Sequence, residues 1–138
     1  MFKEAIALLS SIFTLSSVSI NGVYQDELAH PTLKRWYDYD TTLRNELVRI
    51  RASRKRLDPS KYIRQDGYTE PTLAHLVTSA YRNPSILEAE RLLDQERWRA
   101  VDEMAFGHYF DLDFLIIYAI RLKMLLKWRD IEMADKPK

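Results

Sequence analysis

The stretch Pro31–Arg56, PTLKRWYDYDTTLRNELVRIRASRKR, decides the fold class. Leu33, Trp36, Tyr37, Leu43, Leu47 and Ile50 recur mostly three or four residues apart. That spacing puts apolar side chains on one stripe of an α-helix. Pro31 suits the first helical turn, where its missing N–H has no intrahelical partner to lose. Asp40 breaks the stripe once. Asp40 with Arg44, and Glu46 with Arg49, stand about one turn apart and can pair. Asp58-Pro59 marks the end of the segment, because a residue before proline avoids helical angles.

Working outward, the same signals recur. Asp58 is placed to cap a single turn over Pro59–Ile63. Gln65–Tyr68 reads as a polar turn around Asp66-Gly67. A shorter helix follows Glu70-Pro71 and runs to Tyr81. Asn83-Pro84-Ser85 breaks it, and Ser85 with Glu88 has capping-box spacing for a helix reaching Phe106. Gly107 is a natural stop. Asp111 caps a last helix to Ile131, apolar on most of its circumference between Phe114 and Trp128. Such a helix is either central in a bundle or has one face for a partner. On the other side of Pro31, Phe2–Ser17 reads as an amphipathic helix and Val18–Val23 as a connection that could hold a brief strand. A signal peptide would resemble the first stretch, but Glu4 and Ser10-Ser11 argue against it. The expectation is an all-α chain: a bundle of about five helices, two or three of them long, in a single domain over 1–138.

Composition supports this. With 138 residues, 46% hydrophobic and 30% charged, the chain is the size and make-up of one globular domain. Three glycines and five prolines are few for a many-stranded sheet. There is no cysteine, which excludes disulfides, thiolate nucleophiles and cysteine-ligated zinc. The balance of 21 Lys and Arg against 20 Asp and Glu gives no general attraction to polyanions. No apolar run is long enough to span a bilayer.

Chemistry-bearing patterns are sparse. A phosphate-cradling loop needs clustered glycines, and there are none. Glu27 and His30 have the spacing of a di-iron half-site, but such sites need two pairs and further carboxylates. Glu103, His108, Asp111 and Asp113 could surround a divalent ion, yet both aspartates sit where a helix start favours negative charge. The reading is no catalytic residue, no metal and no cofactor. The basic run Arg49, Arg51, Arg54, Lys55 and Arg56 could meet phosphates of nucleic acid or a lipid surface; equally, cations favour a helix C-terminus. Arg44, Asn45 and Glu46 stand beside the core stripe, as an internal polar network or as a docking site. Trp36, Trp98 and Trp128 each follow a basic residue and suit core anchors.

Three stretches together resemble a known family: Leu43 through Ala52 with Asp58-Pro59 and Tyr62-Ile63-Arg64; Glu90 and Leu93-Asp94 with Arg97-Trp98; and Phe110–Asp113 with Tyr118 and Lys127-Trp128. The chain is similar, over Leu33–Ile131, to a bacterial family of unknown function encoded among the subunit genes of V/A-type rotary ATPases. The first stretch is the most specific. Members carry an extra segment ahead of this point, which makes the chain comparable to their C-terminal part. The resemblance implies a cytoplasmic, non-catalytic, protein-binding subunit or accessory factor, peripheral to the membrane through a complex, in a stalk or rotor-coupling role. Its candidate partner-binding residues are Arg44, Asn45, Glu46, Arg49, Arg51, Trp98 and Trp128. The alternative is a nucleic-acid-binding helical domain using Arg49–Arg56.

Overall fold

A computed structural model describes residues 30–65, 67 and 69–135. Four α-helices and one 3-10 turn make up the regular structure of these residues: α1 (Pro31–Lys55), the turn (Pro59–Lys61), α2 (Pro71–Arg82), α3 (Ile86–Ala105) and α4 (Leu112–Ala134). There is no strand among them. Three helices are long, at 25, 20 and 23 residues. The expected count of about five helices is therefore corrected to four here. The fifth, over Phe2–Ser17, and the connection Val18–Val23 lie outside the described residues.

The helix ends follow local chemistry. Asp58 accepts the Ser60 N–H at 3.0 Å and caps the 3-10 turn. Ser85 Oγ accepts the Glu88 N–H at 3.3 Å, half of the expected capping box; Glu88 itself pairs with Arg91. Asp111 accepts the Phe114 N–H at 2.9 Å and starts α4. Helix α1 stops at Lys55, before Asp58-Pro59 acts. Arg56 takes a left-handed φ of 53°, and the Leu57 N–H returns to the Ala52 carbonyl at 2.9 Å. This is a Schellman ending with arginine where glycine is usual, at a cost of about 1 kcal/mol.

The chain forms two compact units, Lys34–Arg97 and Met1–Leu33 with Trp98–Lys138. In the first, Leu43 of α1, Leu73, Val77 and Ala80 of α2, and Leu93 of α3 form a core, with Tyr39, Leu47, Ile50, Leu76 and Ala89 packed against it. Each fully buried leucine contributes about 2 kcal/mol. In the second, the buried apolar residues come from the start of α1 (Leu33), the end of α3 (Ala100, Val101, Met104) and one side of α4 (Ile116, Ile117, Ala119, Ile120, Met124). No helix among the described residues is long and apolar enough to cross a membrane.

Candidate functional site

Of the candidate residues on α1, Asn45, Glu46 and Arg49 are fastened inward. Asn45 is 4% exposed; its Nδ2 donates to the Arg64 carbonyl at 2.9 Å, and its Oδ1 accepts the Arg64 N–H at 3.1 Å. One side chain thus satisfies both backbone groups of a loop residue. Glu46, 3% exposed, accepts from Arg49 Nη1, and Arg49 Nη2 donates to the Gly67 carbonyl. Gly67 needs its φ of 69°, and a Cβ there would lie 3.2 Å from Ile63 Cγ2. Gln65 adds a bond to Asp38 at 3.0 Å. Asp38, Asn45 and Arg49 therefore hold Arg64, Gln65 and Gly67 against α1.

A second network in the same unit centres on Arg97. Its Nε donates to Asp40 at 2.9 Å and its Nη1 to Asp94 at 2.8 Å. Burial pushes the Arg97 pKa down, but Asp40 and Asp94 outweigh it and raise it above the ordinary value. Asp40 also accepts from Arg44 Nε at 2.7 Å. The break in the α1 stripe is thus the meeting point of two arginines. Arg44 stays exposed beyond it. Arg51 is exposed. Of the rest of the basic run, Arg54 lies over the Tyr81 ring at 4.6 Å, while Lys55 and Arg56 are exposed.

In the other unit Trp98 is half-buried, with the Arg121 guanidinium 5.7 Å from its ring centre and Arg121 bonded to Asp102. Trp128 is half-buried beside Lys127. His108 Nδ1 lies 2.6 Å from Asp111 and 3.6 Å from Asp113. These three residues could surround a cation. Here they bond one another and the start of α4, and Asp113 also accepts from Thr32. Glu103 stands apart, paired with Arg99. The His108 hydrogen bond, then the Phe114 N–H, hold the Asp111 pKa below the usual carboxylate range. The Ser60 hydroxyl and N–H do the same for Asp58. Asp58, Asp111 and Arg97 are each displaced further into the charged form, which suits caps and ion pairs and not proton transfer.

Helix α4 has two apolar faces, one buried and one largely exposed. At 100° per residue, Ile116, Ile117, Ile120 and Met124 occupy one side and are buried. Leu115, Tyr118, Leu122 and Leu125 occupy the opposite side at spacings of three, four and three. Leu125 is 55% exposed, where Ile117 is 1% exposed. Just ahead of this face, between α3 and α4, the loop carries Phe106, Tyr109 and Phe110 exposed around Gly107, whose φ is 86°. Gly107 supplies the left-handed turn that ends α3, and the Asp111 cap starts the next helix. None of these apolar residues was among the sequence candidates. The available signal was the aromatic run in a loop position where polar residues are usual.

Residues 71–136 match the DUF2764 family, described as a protein of unknown function. The match spans α2 to α4, just under half of the chain. No curated protein and no solved structure matches. The DUF2764 match takes in the Glu90–Trp98 and Phe110–Trp128 stretches of the resemblance but leaves out Leu43–Arg64, the stretch read as most specific. The aromatic loop and the exposed face of α4 lie inside the DUF2764 match.

Proposed function

We propose that this chain is a non-catalytic, protein-binding subunit or accessory factor of a V/A-type rotary ATPase, on the cytoplasmic side, in a stalk or rotor-coupling role. The observation that carries the protein-binding part is the second apolar face of α4. A seam of Leu115, Tyr118, Leu122 and Leu125 at three-four-three spacing is what a partner helix reads along its length. Solvent-facing leucines concentrated on one stripe mark an interaction surface far better than single ones. The aromatic loop beside it offers anchors of the type that dominate interfaces. The ATPase part rests on the resemblance in gene company.

Within this reading the candidate residues divide. Asn45, Glu46 and Arg49 act through the loop residues they hold, while the exposed Arg44 and the half-buried Trp98 and Trp128 are the ones offered to a protein partner. Nucleic-acid binding by the run Arg49–Arg56 ranks second, because Arg49 is turned inward and Arg54 lies on Tyr81.

The test is affinity purification of the tagged, native-length protein from gently solubilised cells, with mass spectrometry. Rotary ATPase subunits are expected in fixed ratio, and the double substitution Tyr118→Ser, Leu125→Ser is expected to lose them. Recovery without any ATPase subunit overturns the assignment.

A further inference from the structure

Charge in this chain is concentrated. Residues 51–64 hold Arg51, Arg54, Lys55, Arg56, Lys61 and Arg64 against the single carboxylate of Asp58, a net of +5, while the whole chain is +1. The rest of the chain therefore nets −4. The structure makes this stretch one feature: the last turn of α1, the Schellman ending at Arg56, and the 3-10 turn Pro59–Lys61. All six cations are exposed. Among the described residues no carboxylate pairs with Arg51, Lys55, Arg56 or Lys61. The one acid present, Asp58, is occupied with Ser60 N–H and hydroxyl. Arg54 lies over the Tyr81 ring near the C-terminal end of α2.

Two exposed apolar side chains stand within this basic stretch: Leu57 at 49% and Tyr62 at 58%. Cations alone would fit any polyanion. Cations around an outward leucine and tyrosine fit a surface that has anionic headgroups and, a few ångströms deeper, acyl chains. A single-stranded nucleic acid meets the cations with its phosphates and Tyr62 with a base, but it gives Leu57 nothing to enter. Two residues past Tyr62 the chain is fixed to α1, because Asn45 binds both backbone groups of Arg64.

We infer that the knuckle formed by the end of α1 and the turn Pro59–Lys61 binds directly to an anionic lipid bilayer, with Arg51, Lys55, Arg56 and Lys61 on the headgroups and Leu57 and Tyr62 at the headgroup–acyl boundary. This contact is separate from the α4 face and needs no ATPase subunit, so it stands or falls independently of the proposed function. It places the chain against a membrane surface by its own chemistry as well as through a complex.

The test is co-sedimentation of the purified full chain with vesicles of phosphatidylcholine alone and of phosphatidylcholine with phosphatidylglycerol. Binding is expected only to the mixed vesicles, and it should fall steeply as salt is raised to about 0.5 M, where the screening length is only a few ångströms. The triple variant Arg51→Gln, Lys55→Gln, Arg56→Gln should keep its helical circular dichroism, since these side chains pair with nothing among the described residues, and should bind about a hundredfold more weakly. The double variant Leu57→Ser, Tyr62→Ser keeps every charge and should bind severalfold more weakly. No sedimentation with anionic vesicles at low salt overturns the inference, as does a triple variant that binds like the wild type. A double variant that binds undiminished overturns the bilayer as occupant. So does tight binding of a mixed-sequence single-stranded oligonucleotide by a protein that ignores the vesicles.

Discussion

Helices α1 and α4 invert each other. By composition α1 is the polar helix and α4 the apolar one. Yet α1 turns polar groups inward: Thr41, Asn45 and Glu46 are buried, and Asp40 meets Arg97. Helix α4 turns leucines outward, with Leu115, Tyr118 and Leu125 exposed. The difference teaches where each helix draws its specificity. Buried polar groups must be satisfied in one geometry, so α1 is pinned to its loop and to α3 by bonds that admit no slippage. Apolar surface is non-directional, so α4 satisfies its own unit with one face and still carries a second, the one proposed to meet a partner.

The comparison can be broken most forcefully at Arg97. Arg97→Met takes one of the two arginines from Asp40 and the Arg97 bond from Asp94 in a largely dry site, and should cost about 3 kcal/mol in urea denaturation. A loss below about 1 kcal/mol would mean that water reaches the pair and that α1 is not pinned there. Next is Asn45→Ala, which removes two hydrogen bonds to Arg64 and should cost about 2 kcal/mol, with proteolysis of the loop rising in parallel. Gly67→Ala combines a left-handed φ with a 3.2 Å contact to Ile63 and should cost about 1–2 kcal/mol by thermal melting. On α4 the expectation reverses. Tyr118→Ser with Leu125→Ser should change stability by no more than about 0.5 kcal/mol while abolishing partner capture. A cost of several kcal/mol there would make the second face structural, and the contrast between the helices would collapse.

The finest test uses pH. Asp58 and Asp111 are held below the ordinary value of 3.8, so the stability they contribute is complete above that value and is lost as pH falls through their lower folded values. Melting temperature should therefore decline on acidification below 3.8. Asp111→Asn keeps the helix cap and should flatten part of that decline. An unchanged profile would show that the cap does not depend on the charge.

Much of the fold was legible because helix ends are written locally. Pro31, Asp58, Pro71, Ser85, Gly107 and Asp111 each fall within two residues of an observed boundary, and the last helix overran its expected end only by three residues. The short-range pairs Asp40–Arg44 and Glu46–Arg49 were legible for the same reason. Asp40–Arg97 was not, because 57 residues separate them. The partner of Asn45 was not, because backbone groups have no letter in a sequence. On α4 the obstacle was different. Periodicity locates a face by contrast with polar residues, and a helix apolar all round has no contrast to offer. The candidate surface was hidden by an excess of the very signal used to find cores.

The three tryptophans have an optical consequence. Trp36 belongs to the unit Lys34–Arg97, where it stacks on Tyr39 at 6.0 Å; Trp98 and Trp128 belong to the other. Each unit thus has its own intrinsic chromophore, and the two report through different neighbours. A guanidinium 5.7 Å from the Trp98 ring perturbs its emission electrostatically, whereas Trp36 is placed to accept excitation from a phenol. Chains that keep Trp36 alone, or Trp98 alone, would let the unfolding of each unit be followed by colour, without any added dye.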